Sequence, residues 1–312
     1  MSDIIIIGSG VIGLSAALDS QAAGYQARIL TRDLPGATTS MAAGAMWSAT
    51  DLDGRLRRWA EVSLQRFLPL TEVPGSGVTL QRMREVYPTP MSEPWYRDRI
   101  PFFKRMEAQD LPDGMQDGYL MDVPMVAPPI YLEYLQRQFE EAGGRIETRA
   151  VSSLDEVADD APLIVNCSGV GARELAQDEA VYPIRGQTTL VDAPDISLGY
   201  MNHDRVDHIF PRSDGVLIGG VKVPWDWNRE IDPDVAADIL ARTVKIEPSI
   251  ADAKVLRQFS GLRPGRHDVR LEVEELSPSC AVIHNYGHAA IGYTLSWGCA
   301  ADVVALARGL CG

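Results

Sequence analysis

The sequence predicts an α/β fold: a Rossmann-like domain on a parallel sheet, assembled from discontinuous segments, with a second α+β lobe inserted between them. Three observations predict it. The chain opens on a strand, a glycine-rich turn and an Ala-rich helix, Asp3-Ile-Ile-Ile-Ile-Gly-Ser-Gly-Val-Ile-Gly-Leu-Ser-Ala-Ala-Leu18. Beyond residue 50 the pattern changes to proline-punctuated, strand-like runs with few helical windows. Near the C-terminal end it returns to one apolar strand and one long helix.

Taken in order, the four isoleucines read as a strand buried on both faces. The glycines Gly8, Gly10 and Gly13 follow at the spacing of the dinucleotide fingerprint. Gly8 permits a tight turn, Gly10 lets backbone approach a pyrophosphate, and Gly13 lets the helix lie close on the strand. The helix, predicted to run to residue 23, starts at Val11 and Ile12 and offers its unpaired N–H groups to phosphate. A second strand is expected over residues 27–31, ending on Thr31 where an NAD site usually carries an acid. Arg32 and Asp33 follow, and they read equally well as contacts to an adenosine or as an exposed ion pair. The run from Thr38, Thr39 and Ser40 to Ala43, Gly44 and Ala45 is small, polar, then nearly free of side chains, which lets backbone crowd a phosphate or a flat ring.

An amphipathic helix is predicted over 56–70, then a Gly/Pro-rich stretch from Pro74, then an irregular segment over 78–127 with short strands. Pro128 and Pro129 open a helix that Gly143 and Gly144 close. Strands are expected over 145–148 and 163–166, the latter ending in the small-residue turn Val165-Asn-Cys-Ser-Gly-Val170. Residues 188–220 read as strand-rich, Asp232-Pro233 as a capped helix start, 281–284 as a strand and 294–308 as a long helix.

The 312 residues suffice for two lobes with real cores. A formal charge of −14 argues against a nucleic-acid or anionic membrane surface. No apolar run reaches the length of a membrane span and no signal-peptide pattern opens the chain, so a cytoplasmic protein is expected. The last five residues, Arg308-Gly-Leu-Cys-Gly312, lack a peroxisomal ending. Cys167, Cys280, Cys299 and Cys311 show no metal-ligand spacing, so no metal is expected; Cys167 and Cys280 read as small buried hydrophobes.

Two late motifs, Gly261-Leu-Arg-Pro-Gly-Arg-His-Asp-Val-Arg-Leu-Glu272 and His284-Asn-Tyr-Gly-His-Ala-Ala-Ile-Gly-Tyr-Thr-Leu-Ser-Trp-Gly-Cys-Ala300, resemble the D-amino-acid oxidase family. Ala42-Ala43-Gly44, Val165 to Val170 and Arg185-Gly186-Gln187 resemble it too, in the family's order and from end to end. The resemblance implies non-covalently bound FAD. It also implies oxidation of a D-amino acid to an imino acid by hydride transfer to flavin N5, with O2 reduced to H2O2. It places FAD-binding segments at 1–50, 128–182 and 264–312, and a substrate lobe with a large mixed sheet at 51–127 and 183–263.

Residue by residue, the resemblance gives Arg263, in a Leu-Arg-Pro segment expected to be a turn, the substrate carboxylate, a role that suits a planar guanidinium fork. It gives the backbone carbonyl of Ala290 the substrate amine. Val151, Ser168, Gly169 and the run Gly287, Ala289, Ala290, Ile291, Gly292, Tyr293 and Thr294 would border the FAD. The dipole of the helix starting near Thr294 would favour the reduced flavin. A homodimer is also expected from the family.

The chain departs from the family at several positions. His208 in His-Ile-Phe-Pro211 stands where the family has a tyrosine that touches the carboxylate, and Tyr200 is the nearest counterpart of a second, lid tyrosine. Histidine can donate to a carboxylate and gain charge as pH falls. Ala289-Ala290 replace a glycine pair. Arg205, if turned inward, would suit a second carboxylate and hence D-aspartate or D-glutamate; if not, it pairs with Asp204 or Asp207 at the surface. A specialised amine or amino-acid oxidase of a biosynthetic pathway and an inactive flavin-binding protein are the competing readings; Thr31 argues against an NAD-dependent dehydrogenase.

Overall fold

The computed structural model describes residues 3–311; Met1, Ser2, Gly312 and the side chain of Cys311 lie outside the described residues. The chain builds two sheets. The first runs in the order Arg270–Ser277, Cys280–Tyr286, Leu163–Asn166, Asp3–Ile7, Gln26–Thr31, Arg145–Thr148. All neighbours are parallel except the outermost hairpin of Arg270–Ser277 with Cys280–Tyr286.

The isoleucine run explains why this sheet is covered on both sides. Ile4 and Ile6 join one core cluster with Val11, Leu14 and Val303, while Ile5 and Ile7 join another with Leu30, Val157, Ile164 and Val282. Side chains alternate along a strand, so adjacent isoleucines serve opposite faces. Each such burial stabilises by about 1.5–3 kcal/mol. The helix Val11–Ala22 packs against Pro128–Glu141 and Gly292–Cys311 on one of these faces.

The second sheet has nine strands, ordered Val223–Pro224, Tyr182–Asp192, Gly215–Gly219, His208–Arg212, Gly199–Asn202, Val78–Tyr87, Asp117–Val126, Phe103–Arg105, with Lys254–Gly265 also paired to Tyr182–Asp192. One face carries Tyr200, Ile209, Val216 and Ile218, which meet Ile239 of the helix Pro233–Ile246. Phe210, Leu217 and Phe259 on the opposite face join the core shared with the first sheet.

Three expectations are corrected. Residues 78–127 are more regular than their prolines suggest: Val78–Tyr87 and Asp117–Val126 pair antiparallel along ten residues each. Pro124 lies inside a strand because a proline removes only its own N–H from the ladder. The Leu-Arg-Pro motif is not a turn but part of a twelve-residue strand, Lys254–Gly265, paired almost throughout with Tyr182–Asp192. The local glycine and proline signal lost to a long-range partner. The last helix starts at Gly292, slightly before the expected Thr294.

Candidate functional site

The glycine turn has the geometry the fingerprint requires. Gly8 sits at φ +105°, and a Cβ there would come within 2.5 Å of the Cys167 carbonyl oxygen. A Cβ on Gly13 would overlap the Gly8 carbonyl, so the helix closes on the turn only with glycine at both places. A Cβ on Gly10 would lie 2.9 Å from Ser40 Oγ. That hydroxyl accepts from Val11 N–H at 3.0 Å, and so satisfies one donor of the helix N-terminus, where a phosphate oxygen would otherwise sit.

The surrounding pieces meet this turn. Thr31 is buried and its hydroxyl lies 3.0 Å from Ser9 Oγ and 2.7 Å from the Asp33 carbonyl, tying the end of the second strand to the glycine loop. Arg32 and Asp33 form an ion pair with each other at 2.9 Å, with the arginine side chain 66% exposed. Ser168 donates to Asn166 Oδ1 at 2.6 Å and Gly169 takes φ +61°, closing the neighbouring strand end beside Gly8. Val151 packs on the cluster around Leu30 beyond the adjacent strand. Thr38 caps its own turn through Pro35, Tyr293 donates to the Ser40 carbonyl at 3.0 Å, and Thr294 Oγ1 accepts from Ser48 N–H at 3.3 Å. Gly44 lies against Phe210, and Ala45 holds φ +60°.

The second sheet brings its own groups to the same place. Register fixes which side chains share a face. His208 pairs with Met201 and with Gly219, Gly219 pairs with Thr188, and Thr188 pairs with Phe259. Arg263 lies four residues beyond Phe259 and so points the same way. A Cβ on Gly186 would fall within 2.5 Å of Arg263 Cζ and Nη2, so the guanidinium rests directly over that glycine. Arg263 Nη1 donates to the carbonyls of Val221 and Arg185 at 3.2 and 3.4 Å. Among the described residues no carboxylate pairs with it, and removal from water pushes its pKa below the usual guanidinium value.

His208 is buried, its ring stacks on Phe210 at 4.4 Å, and its Nδ1–H donates to the Val206 carbonyl at 3.0 Å. Nε2 has no partner among the described residues and lies 3.9 Å from a Cβ position on Gly44. Burial first, then the Arg263 and Arg212 guanidiniums, lower its pKa to about 4 against the opposing bond to Val206. The expectation that His208 gains charge as pH falls through the ordinary imidazole range is therefore corrected, since burial and two guanidiniums oppose that charge.

Tyr200 is also corrected. It pairs with Ile209, not His208, so it points to the opposite face and packs among Val86, Ile218 and Ile239. Arg205 is 64% exposed and lies 3.8 Å from Asp207, the surface alternative, which removes the inward-facing cation the acidic-substrate reading needed. The turn before the last helix reaches the Arg263 strand directly: Ala289 N–H, at φ +47°, donates to the Pro264 carbonyl at 2.9 Å. Gly287 holds φ +86°, Ala290 is exposed, and Ile291 N–H bonds the His288 carbonyl at 3.0 Å.

Sequence reasoning missed several groups here. Arg212 is fully buried, pairs with Asp214 at 2.7 Å and donates to the Ala43 carbonyl at 3.2 Å, latching the second sheet to the 38–45 segment. His288 and Asn285 are buried with side-chain atoms left unpartnered, and burial lowers the His288 pKa to about 3. Glu85 is completely buried, shares a row with Met201 and His208, and accepts from Tyr87 at 2.5 Å, beside His203 Nε2 at 3.2 Å. Burial opposes protonation of His203, but Glu85 outweighs it and raises that pKa. The Arg185-Gly186-Gln187 motif held one usable signal, the glycine under Arg263; strand pairing alone reveals the others.

These residues fit a dinucleotide carrying a flat ring. The glycine cradle leaves no room for side chains, a helix N-terminus faces it, and buried polar atoms on Asn285, His288 and His208 lack partners among the described residues. No group of three or more His, Cys, Asp or Glu suited to a metal occurs among the described residues, and no described helix is long and apolar enough to cross a membrane. Cys167, Cys280 and Cys299 are buried and free.

Comparison with known proteins agrees with this geometry. The family described as FAD dependent oxidoreductase (DAO) matches residues 3–306. A D-amino-acid oxidase of Rubrobacter xylanophilus is 40% identical, over 97% of this chain and 95% of that protein. A human D-aspartate oxidase is 30% identical, over 97% and 94% respectively. The crystal structure of glycine oxidase from Geobacillus kaustophilus superposes with a TM-score of 0.81 at 19% identity, covering 98% of this chain and 95% of that one.

Proposed function

The chain belongs to the family of FAD-dependent oxidoreductases, and from that premise we propose that it is a D-amino-acid oxidase, converting a D-amino acid to the imino acid. The observation that carries this reading is Arg263. A half-buried guanidinium without a carboxylate partner among the described residues is costly, and an incoming substrate carboxylate is the group that would repay it.

Bound FAD supplies the hydride acceptor. The protein's own residues do the rest. Gly8, Gly10 and Gly13 would leave space for the pyrophosphate, with Val11 and Ile12 at the helix N-terminus, and Thr38, Thr39, Ser40, Ala43, Gly44 and Ala45 would border the ring. Val151, Ser168 and Gly169 close the strand ends, and Arg32 with Asp33 would lie beside the ribose of bound FAD. Gly287, Ala289, Ile291, Gly292, Tyr293 and Thr294 form the turn and helix start on the other side. Arg263 fixes the carboxylate, His208 lies beside it, and the Ala290 carbonyl accepts from the amine. With the substrate held in this way, no protein base would be needed for the Cα proton. Water then hydrolyses the imine to a 2-oxo acid and ammonia.

The FAD-binding part is assigned to 1–50, 128–182 and 264–312, and the substrate lobe to 51–127 and 183–263; the strands of the two sheets divide in support of that assignment. O2 as acceptor with H2O2 release, a cytoplasmic location and a homodimer complete the reading. The three buried free cysteines suit a reducing compartment. Neutral D-amino acids are favoured over acidic ones because Arg205 points to solvent.

The test is anaerobic addition of a panel of D-amino acids to yellow, flavin-loaded protein. At least one should bleach the flavin band while its L-enantiomer does not. Protein that keeps FAD and is bleached by none would overturn the reading.

A further inference from the structure

We propose that a carboxylate binding at Arg263 brings a proton with it, taken up at Nε2 of His208. This rests on Arg263 as the carboxylate anchor, and the experiment below separates the two ideas.

The geometry leaves His208 few choices. Its Nδ1 faces the Val206 carbonyl, which can only accept, so the ring proton of the neutral imidazole resides on Nδ1. Nε2 is then a bare lone pair. It lies beside the Gly44 segment and over Gly219, on the sheet face that carries Arg263. The charged groups acting on the ring are Arg263, from the strand Lys254–Gly265, and Arg212 on its own strand, which Asp214 already pairs. Phe210, Gly219 and Gly220 lie against the ring and carry no charge. Burial and two cations thus all oppose a further positive charge.

A bound carboxylate reverses that balance. It cancels the field of Arg263 at close range, and its oxygen repels a bare nitrogen lone pair. A proton taken from solvent onto Nε2 turns repulsion into a charge-assisted hydrogen bond. No other bond is made or broken. A tyrosine at this place would bring its own hydroxyl proton and need none from solvent; histidine makes binding of the anion proton-linked.

The sign follows from linkage. The His208 pKa is about 4 without the anion, and the proposal requires a higher value with it. Between the two values the dissociation constant rises about tenfold per pH unit, and it levels off above the occupied-site pKa. Benzoate, a carboxylate without an amine, is the probe. It is titrated by calorimetry into the flavin-loaded protein at pH 5.5 to 8, in pairs of buffers with different ionisation enthalpies. The expected result is uptake of close to one proton per benzoate at the acid end, with affinity falling as pH rises. His208→Phe should bind with no proton uptake and no pH dependence over this range. His208→Tyr should also show no uptake, with affinity that stays high across it. Benzoate binding to the wild-type protein without proton uptake overturns this proposal and leaves the carboxylate anchor standing. Failure of the FAD-loaded wild-type protein to bind benzoate overturns the anchor itself.

Discussion

Replacing Gly186 by alanine tests the substrate site without touching any residue proposed to contact substrate. The new Cβ would fall within 2.5 Å of Arg263 Cζ and Nη2. Those atoms end a long side chain whose own bonds are only to two carbonyls, at 3.2 and 3.4 Å, so the guanidinium can swing away instead of forcing the strand apart. Stability should therefore change by less than about 1 kcal/mol, as for other positions where the neighbour yields. The anchor, in contrast, leaves its place. A charge-assisted hydrogen bond is worth about 1.5–3 kcal/mol, so kcat/KM for the best D-amino acid should fall about 10- to 150-fold. The loss should appear first in KM. The assay is initial rate against substrate concentration, with FAD content read from the flavin absorbance and stability from thermal unfolding. A variant that keeps its FAD and its stability and shows unchanged kcat/KM would refute the placement of Arg263 over Gly186 as the substrate anchor.

Further outcomes follow from other contacts. Gly13→Ala places a methyl against the Gly8 carbonyl, which is backbone and cannot yield, so about 1–3 kcal/mol of stability and most FAD retention should be lost; a fully flavin-loaded variant after gel filtration would contradict the packing. Asp302 accepts from Trp59 Nε1 at 2.7 Å and pairs with Arg58 at 2.6 Å, joining the helices Gly54–Leu70 and Gly292–Cys311. Asp302→Ala should cost about 1–3 kcal/mol in urea unfolding, chiefly from the orphaned indole N–H, with the substrate KM unchanged. For the apoprotein, His208 and His288 have folded pKa values of about 4 and about 3, below the unfolded value of 6.5. The unfolded chain gains those protons first, so stability falls as pH drops from 6.5 towards 4. From pH 7.5 to pH 5 the two together should remove about 4 kcal/mol at most. His288→Gln should flatten that slope by about half, and an unchanged slope would show that His288 is not held neutral.

What the amino-acid sequence determined by itself is local and chemical. Four isoleucines before three spaced glycines dictate a doubly buried strand, a turn without side chains and a helix start, because hydrophobic period and steric room act over a few residues. The helices at Pro128–Glu141 and Pro233–Ile246 were legible for the same reason, from their prolines and the Asp232 cap, which accepts from Asp234 and Val235 N–H. Tertiary structure alone decided which side chains meet. A register step of one residue puts Tyr200 behind the sheet and His208 in front, and no local pattern encodes that step. The same pairing turns the Leu-Arg-Pro segment into a strand and lays Arg263 over Gly186. It also closes two guanidiniums around His208 and so sets its charge, since burial and neighbouring charge belong to the assembled molecule and not to the residue.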